Sequence, residues 1–271
     1  MKRMFAIISC HKNAQRRDDC RSTWIKDING VADYKFFLGK GEGTPKDDEV
    51  WLDVPDDYDG LPIKVREVCK WVLEQSPEYD YMLKVDDDTY IFPDRIIMGF
   101  EGHDYVGHHN LTNAIHCRRG FCSGFAYWLS RKAMKALSYG NPTIKWEDQW
   151  AGGCLLNSGI VAYDDKRYYI GSMIAKAMWN NFIPMAACFA EMGRDGDMKL
   201  MNDVVKGIRQ IPSPLPATGK HIRLEPTLSR PVGTVVKAGS QHTGRPQRPL
   251  FDVRTGRRFF SPADAPRTRR K

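Results

Sequence analysis

The sequence predicts an α/β fold with a mostly parallel sheet flanked by helices. Short apolar segments at 4–10, 34–39 and 49–54 have the continuous hydrophobicity of strands covered on both faces. Segments with helical patterns separate or follow them, and strands that alternate with helices favour a parallel sheet. In such sheets ligands bind at the carboxyl ends of the strands, so the residues that follow each strand are the first candidates for a site.

The amino-terminal part supplies three strands and two helices. The apolar run 4–10 briefly mimics a signal peptide, but polar residues follow it without a cleavage pattern, so a buried first strand is favoured. Polar residues 13–25 have a helical pattern, and the strands 34–39 and 49–54 end at a glycine and before a proline. Apolar residues at helical spacing over 61–73 predict an amphipathic helix.

The later elements have weaker patterns. Residues 104–107 have the pattern of a short strand, and the small residues at 120–124 predict a tight turn in which the backbone approaches a ligand closely. An apolar run at 125–129 follows, and Ser130 is a typical cap for a basic helix over 131–137.

The most informative segment is a strand that ends in three consecutive carboxylates, Asp86, Asp87 and Asp88. Apolar and polar residues alternate over 81–85, which is typical of a half-buried strand. Neighbouring carboxylates repel one another by roughly 1 kcal/mol or more per pair unless a cation neutralises them. Because Mg2+ and Mn2+ take carboxylate oxygens together with substrate phosphates, the triplet indicates a metal and phosphate site. The alternative is an acidic turn, since Asp is common where strands end.

Two further carboxylates, Glu147 and Asp148, lie at the start of a predicted apolar helix. The helix dipole favours negative charge there, which is a sufficient structural reason for them. Combined with the triplet, they become candidates for a general base beside a metal-bound substrate. The sequence contains no P-loop, GxGxxG, HExxH or GxSxG pattern, which excludes several nucleotide-binding and hydrolase classes.

Composition is that of a soluble globular protein, with 42% hydrophobic and 27% charged residues. No apolar run reaches the roughly 20 residues that a membrane span needs. The seven cysteines form no CxxC pair, so neither a disulfide framework nor a zinc ribbon is indicated. We therefore expect a reducing compartment.

Charge divides the chain into two parts. Residues 1–200 have a net charge of −3, whereas residues 201–271 have one of +11 and contain 9 of the 16 prolines. We expect a packed domain over 1–205 and a basic, Pro-rich arm over 206–271, partly extended or disordered, of the kind that attracts polyanions.

Several motifs together resemble the β-1,3-glycosyltransferase family that includes β-1,3-galactosyltransferases and fringe proteins. They follow one another in the family's order and cover roughly residues 5–170. The matches are 21–24 (R-S-T-W), 37–39 (F-L-G), 81–88 (Y-M-L-K-V-D-D-D), 122–130 (C-S-G-F-A-Y-W-L-S) and 147–152 (E-D-Q-W-A-G).

The resemblance implies a GT-A-like, Rossmann-type sheet, a UDP-sugar donor and transfer with inversion at the anomeric carbon. It assigns Mn2+ or Mg2+, bridging the donor diphosphate, to Asp88 together with Asp86. Asp86 would also face the ribose, with Asp87 beside the phosphate or the sugar. The cation would stabilise the charge on the departing diphosphate.

The resemblance also assigns the remaining site residues. Asp148, with Glu147 beside it, would accept the proton of the acceptor hydroxyl. The predicted donor-binding set is completed by Lys84, by Ser123 and Gly124 near the donor sugar, and by Arg21 near the diphosphate.

The chain departs from the family in three respects. It lacks the family's membrane anchor and stem, which favours a cytoplasmic enzyme of bacterial or viral type. The family's late histidine, a second metal ligand, has the candidates His221 and His242, with Glu191 or water as substitutes. After Arg167 the sequence follows no family pattern, so the acceptor side is unassigned.

Two acceptors and two other functions are consistent with the sequence. A glycan or lipid-linked saccharide is the family's usual acceptor. Hydroxymethylated nucleic acid is the second candidate, because the basic arm would bind its phosphates. The alternative interpretation of the arm is a solvated extension. A two-metal phosphoryl-transfer enzyme or nuclease would use the same carboxylates. A non-enzymatic nucleic-acid-binding protein would bind through the arm, with the α/β domain as its scaffold.

Overall fold

A seven-stranded mixed sheet is the centre of the fold. The structure is a computed structural model of the 271-residue chain, and it describes residues 1–28, 30–75, 78–111, 120–170, 185–189 and 197–207. The strands in chain order are β1 Lys2–Ile8, β2 Asp33–Leu38, β3 Glu49–Trp51, β4 Tyr79–Asp86, β5 Thr89–Ile91, β6 Tyr105–Asn110, β7 Phe121–Ser130, β8 Tyr163–Asp164, β9 Tyr168–Tyr169 and β10 Ala187–Phe189.

The main sheet has the order β3-β2-β1-β4-β7-β6-β8. Strands β3, β2, β1 and β4 are parallel neighbours, β7 is antiparallel to both β4 and β6, and β8 is parallel to β6. A second, three-stranded sheet has the order β5-β10-β9. The predicted mixed, mostly parallel sheet is therefore confirmed.

Helices cover both faces of the main sheet. They are α1 Ala14–Ser22, α2 Leu61–Gln75, α3 Pro93–Ile96, α4 Arg131–Ser138, α5 Glu147–Asn157 and α6 Asp197–Val205, with 3-10 helices at His11–Asn13 and Trp24–Asp27. The hydroxyl of Ser130 accepts a hydrogen bond from the Ala133 amide at 3.2 Å, which confirms the predicted cap.

One predicted element is wrong. Residues 120–124 do not form a turn: only Gly120, with φ +81°, has turn geometry, and the others begin β7. Because β7 pairs with a strand on each side, its side chains pack in the core, and Cys122 is fully buried. The neighbouring strand packs closely here, since a Cβ on Gly107 of β6 would lie 3.0 Å from that of Cys122.

Alternation along the central strands divides the core into two clusters. Phe5 and Ile7 of β1 face the cluster that contains Trp24 and Met201, while Met4 and Ala6 face the other cluster. The second cluster is completed by apolar side chains of α2, α4 and α5, including Val65, Met134 and Leu155. Burial of such side chains contributes roughly 1.5–3 kcal/mol each.

The strand directions bring the candidate residues to one edge. Ile8 at the end of β1 is in register with Asp86 at the end of β4, so both parallel strands end there. The start of β7 lies at the same edge because Val85 is paired with Ala126 in an antiparallel register. We call this the carboxyl edge of the sheet.

The structure describes only the first two residues of the predicted arm. The proposed arm over 206–271 lies outside the described residues from residue 208 onward, so the domain division stays a prediction. Within the described segments, the helices are too short or too polar to cross a lipid bilayer.

Candidate active site

The three consecutive carboxylates at the carboxyl edge have different environments. Asp86 ends β4, and Asp87 and Asp88 form the turn into β5. The side chain of Asp87 is 5% exposed, whereas those of Asp88 and Asp86 are 27% and 33% exposed. The triplet therefore contains one buried carboxylate and two that solvent or a ligand can reach.

Asp87 ties the end of β4 to the segment that follows β1. Its Oδ2 accepts hydrogen bonds from Ser9 Oγ at 2.7 Å and from Asn13 Nδ2 at 3.0 Å. A guanidinium nitrogen of Arg16, in the first turn of α1, lies 3.4 Å from Oδ1. Because a buried charge is stabilised only when it is paired and hydrogen-bonded, these contacts make Asp87 a structural anchor.

Asp88 faces the same arginine but is more open. Arg16 Nη1 lies 3.2 Å from Asp88 Oδ2. Burial, together with the charge of Asp87, raises the pKa of the Asp88 carboxyl, and the positive charge of Arg16 opposes the rise. A cation bound here would therefore replace or supplement the charge that Arg16 supplies.

Asp86 is held by the buried ammonium group of Lys84, two residues earlier on β4. Lys84 Nζ donates to Asp86 Oδ1 at 2.6 Å and lies 3.3 Å from Glu147 Oε2 of α5. Burial raises the pKa of Asp86 to about 8, although Lys84 opposes the rise. Burial alone would lower the pKa of Lys84, but the negative charges of Asp86 and Glu147 have the larger effect and raise it.

The two carboxylates at the start of α5 also differ. Glu147 is 6% exposed, and its oxygens contact the Tyr127 hydroxyl and Lys84. Asp148 is half-buried, and its Oδ1 accepts a hydrogen bond from the Gln149 amide at 2.8 Å. Burial raises the pKa of both carboxyls.

Gly124 of β7 lies directly against this pair. A Cβ at Gly124 would be 3.3 Å from Glu147 Oε2 and 3.7 Å from Asp148 Oδ2. A larger residue would press on both carboxylates. The structure therefore brings Gly124 together with Glu147 and Asp148.

Ser123 has a partner, His108, that no motif pointed to. It is buried, and its hydroxyl lies 3.0 Å from His108 Nδ1 of β6. Burial lowers the pKa of His108. His108 directly follows the predicted strand 104–107, which was the one sequence signal for it.

Arg16, rather than the predicted Arg21, lies beside the three consecutive carboxylates. Arg21 is bonded to Asp48 at 2.8 Å and to Glu49 at 2.9 Å, and also to Asp18, so the structure does not bring it to the triplet. Arg16, which no motif distinguished from its neighbours, is the arginine that contacts Asp87 and Asp88.

The donor atoms suit a hard divalent cation. Asp86 and Asp88 offer partly exposed carboxylate oxygens, the ligands that Mg2+ and Mn2+ prefer. Among the described residues, no group of three or more His, Cys, Asp or Glu side chains is arranged to hold a metal ion. The candidates for a second ligand, His221, His242 and Glu191, lie outside the described residues.

Comparisons with known proteins identify a family for part of the chain. The family model described as Galactosyltransferase matches residues 15–120. Human N-acetyllactosaminide β-1,3-N-acetylglucosaminyltransferase 4 is 27% identical over 117 residues, which cover 37% of this chain and 31% of the relative. The chain thus spans about a third of the length of that curated relative. Both matches support the predicted family over this part of the chain.

Solved structures of glycosyltransferases are similar at low identity. A glycosyltransferase involved in glycosylation of the major capsid of PBCV-1 has a TM-score of 0.43 and 12% identity, covering 73% of this chain and 98% of its own. An active-site mutant of LgtC has a TM-score of 0.48 and 9% identity, and the match covers 75% of this chain and 95% of the mutant. The galactosyltransferase LgtC in complex with donor and acceptor sugar analogues has a TM-score of 0.43 and 8% identity, and the match covers 77% of this chain and 97% of LgtC.

The contrast between Asp87 and Asp88 predicts different costs of neutralisation. Asp87→Asn should lower the free energy of unfolding by about 1–3 kcal/mol, because its amide group would face the donors that the carboxylate now accepts from. Asp88→Asn should change it by less than about 0.5–1 kcal/mol, since this side chain is partly exposed. Urea unfolding in EDTA measures both, and a larger loss for Asp88→Asn would contradict the assignment.

Proposed function

We propose that this chain, whose residues 15–120 match the galactosyltransferase family, is a metal-dependent inverting glycosyltransferase that moves a sugar from a UDP-sugar to an acceptor hydroxyl. One observation supports the proposal most directly. The triplet and the α5 carboxylates, which are far apart in sequence, meet at the carboxyl edge through Lys84. A donor site and a base side by side are what sugar transfer requires.

The donor side is formed by the triplet and α1. Asp88 and Asp86 would hold Mn2+ or Mg2+, and the bound cation would neutralise charge on the diphosphate leaving group. Arg16, already 3.2 Å from Asp88, would add a second positive charge on the phosphate side. Asp87, Ser9 and Asn13 would keep the turn in place.

The base on the acceptor side is Asp148 rather than Glu147. Both oxygens of Glu147 are engaged, one by Tyr127 and the other by Lys84, so it has little capacity to take a proton. Asp148 is more open, and burial raises its pKa, which makes it a stronger base than an ordinary aspartate. In the proposed step the acceptor oxygen attacks the anomeric carbon, its proton passes to the Asp148 carboxylate, and the sugar–phosphate bond breaks.

The family match favours this activity over the nuclease and the non-enzymatic nucleic-acid-binding protein. A glycan is the proposed acceptor. Hydroxymethylated nucleic acid stays the second candidate because of the +11 charge of residues 201–271. The cytoplasmic location stays a prediction.

Donor binding should depend on Asp88. UDP with Mn2+ should raise the melting temperature of the wild type, since a ligand at a hundredfold excess over its Kd adds about 2.7 kcal/mol of stability. UDP without Mn2+ should add much less, and Asp88→Ala should respond to neither. Asp53→Ala, which removes a carboxylate that is 86% exposed, is the control and should respond as the wild type does. An unchanged response of Asp88→Ala would refute the metal assignment.

The two arginines should separate binding from stability. Arg16→Gln should weaken UDP binding about tenfold or more, because it removes a charge beside Asp88. Arg21→Gln should leave UDP affinity within about threefold of wild type and lower the melting temperature, since it removes contacts with Asp18, Asp48 and Glu49. Calorimetric titration with UDP in Mn2+ measures the affinities. The reverse pattern would restore the original assignment of Arg21.

Loss of the base should affect the chemical step alone. Asp148→Asn should bind UDP as the wild type does and lose roughly 100-fold to 10,000-fold in kcat. In the wild type, kcat/KM should fall as the pH drops through the raised pKa of Asp148, because only the deprotonated carboxylate accepts a proton. This acid limb should lie above the pH expected of an ordinary aspartate, about 3.9. Full transfer by Asp148→Asn would exclude it as the base.

A further inference from the structure

Lys84 has no remaining donor for a substrate. An ammonium group has three N–H donors, and three acceptors surround this one: Asp86 Oδ1, Glu147 Oε2 and the carbonyl oxygen of Gly124. The side chain is 2% exposed. A donor phosphate could reach Lys84 only by displacing one of these contacts, which argues against the donor-binding role that the motifs suggest.

The three partners of Lys84 belong to three elements of the site. Asp86 lies on the same strand, two residues later, and alternation places both side chains on the face that α5 covers. Gly124 belongs to β7, and Glu147 is the first residue of α5. One buried cation therefore joins the metal-binding strand, the glycine that contacts Asp148 and the helix on which Asp148 lies.

Glu147 is held on its other side as well. The hydroxyl of Tyr127 donates to Glu147 Oε1, and Tyr127 is fully buried and in register with Lys84 across the β4–β7 pair. The Lys84 ammonium lies 5.5 Å from the centre of the Tyr127 ring. Glu147 is thus fixed between two side chains of the sheet, and the amino end of α5 is fixed with it.

We propose that Lys84 is a positioning residue: through Glu147 it sets the place of the Asp148 carboxylate relative to the metal-binding carboxylates, and it does not bind the donor. The inference deepens the proposed glycosyltransferase activity and rests on it for the role of Asp148. A displacement of about 1 Å at a catalytic group can cost about 100-fold in rate, so loss of this anchor should be visible in kcat.

The kinetic test is Lys84→Met, which keeps the length of the side chain and removes its charge. We expect kcat for UDP-sugar transfer to fall about 100-fold, while the Kd for UDP in Mn2+ changes by less than about tenfold because Lys84 contacts the proposed metal ligand Asp86 but not the donor. A weaker Kd with normal kcat at saturating donor would make Lys84 a donor ligand. A lower melting temperature with both constants unchanged would make it merely structural. Either result overturns the proposal.

A double-mutant cycle keeps the proposal testable if Lys84→Met folds poorly. Glu147→Gln keeps the shape of the side chain but weakens its contact with Lys84. The double variant, with Lys84→Met and Glu147→Gln, buries one carboxylate fewer than Lys84→Met alone. If the two residues act through one contact, the double variant should lose no more kcat than the worse single variant. Independent, multiplying losses would overturn the proposal.

A readout that needs no activity separates this inference from the proposed function. Hydrogen exchange should be faster in Lys84→Met at the first turns of α5, including the Trp150 amide, which donates to the Trp146 carbonyl oxygen at 3.0 Å. Lys64→Met is the matched control: Lys64 is 1% exposed and bonded to Asp56 and the Ser9 carbonyl oxygen, and its loss should leave α5 exchange unchanged. Normal α5 exchange in Lys84→Met overturns the positioning role, whereas a wild type without transfer activity refutes only the proposed function.

Discussion

Carboxylates crowd the carboxyl edge of this sheet, and the fold depends on the cations placed among them. Burial raises the pKa of Asp86, Asp88, Glu147 and Asp148, so each negative charge there is costly. Two cations lie between them, since Lys84 contacts Asp86 and Glu147, and Arg16 contacts Asp87 and Asp88. Removing one partner of a buried ion pair typically costs about 3–5 kcal/mol, and this range applies to the buried Lys84–Glu147 pair rather than to the partly exposed Arg16. The geometry of the site and the stability of this edge therefore depend on the same contacts.

The sheet topology allows these charged side chains to be buried beside one another. β4 lies between β1 and β7, so its backbone groups are paired on both sides and its side chains are buried on both faces. On one face Leu83 and Val85 fill the apolar core, and on the other Met82 is followed by Lys84 and then Asp86 toward the strand end. The same solution recurs nearby, where the buried Lys64 joins Asp56 to the Ser9 carbonyl oxygen. A buried lysine with acceptors around it organises a strand end without opening it to water.

Local patterns were sufficient to predict part of the secondary structure but not the contacts between its elements. Apolar runs and helical spacing predicted the strands up to β4 and the helices α2, α4 and α5, because those patterns record which face is buried. Residues 120–124 were misassigned because small residues occur both in turns and where strands pack closely. The role of Arg16 depends on a contact with Asp88 across 72 residues, and that of Lys84 on helix α5, which begins 63 residues later. No spacing rule within a single element records such distances.

The boundary of the family match divides this site in a physically informative way. The matched segment, 15–120, contains Arg16 and the whole triplet but ends before β7 and α5, which supply Gly124 and Asp148. Under the proposed function, the matched part would hold the diphosphate, and the later part, which includes the motifs at 122–130 and 147–152, would place the donor sugar and the base. The two parts cannot move apart freely, because β7 is hydrogen-bonded to β4 and Lys84 reaches from β4 to both Gly124 and Glu147. The carboxylate proposed as the base therefore keeps a fixed place relative to the carboxylates proposed to bind the metal.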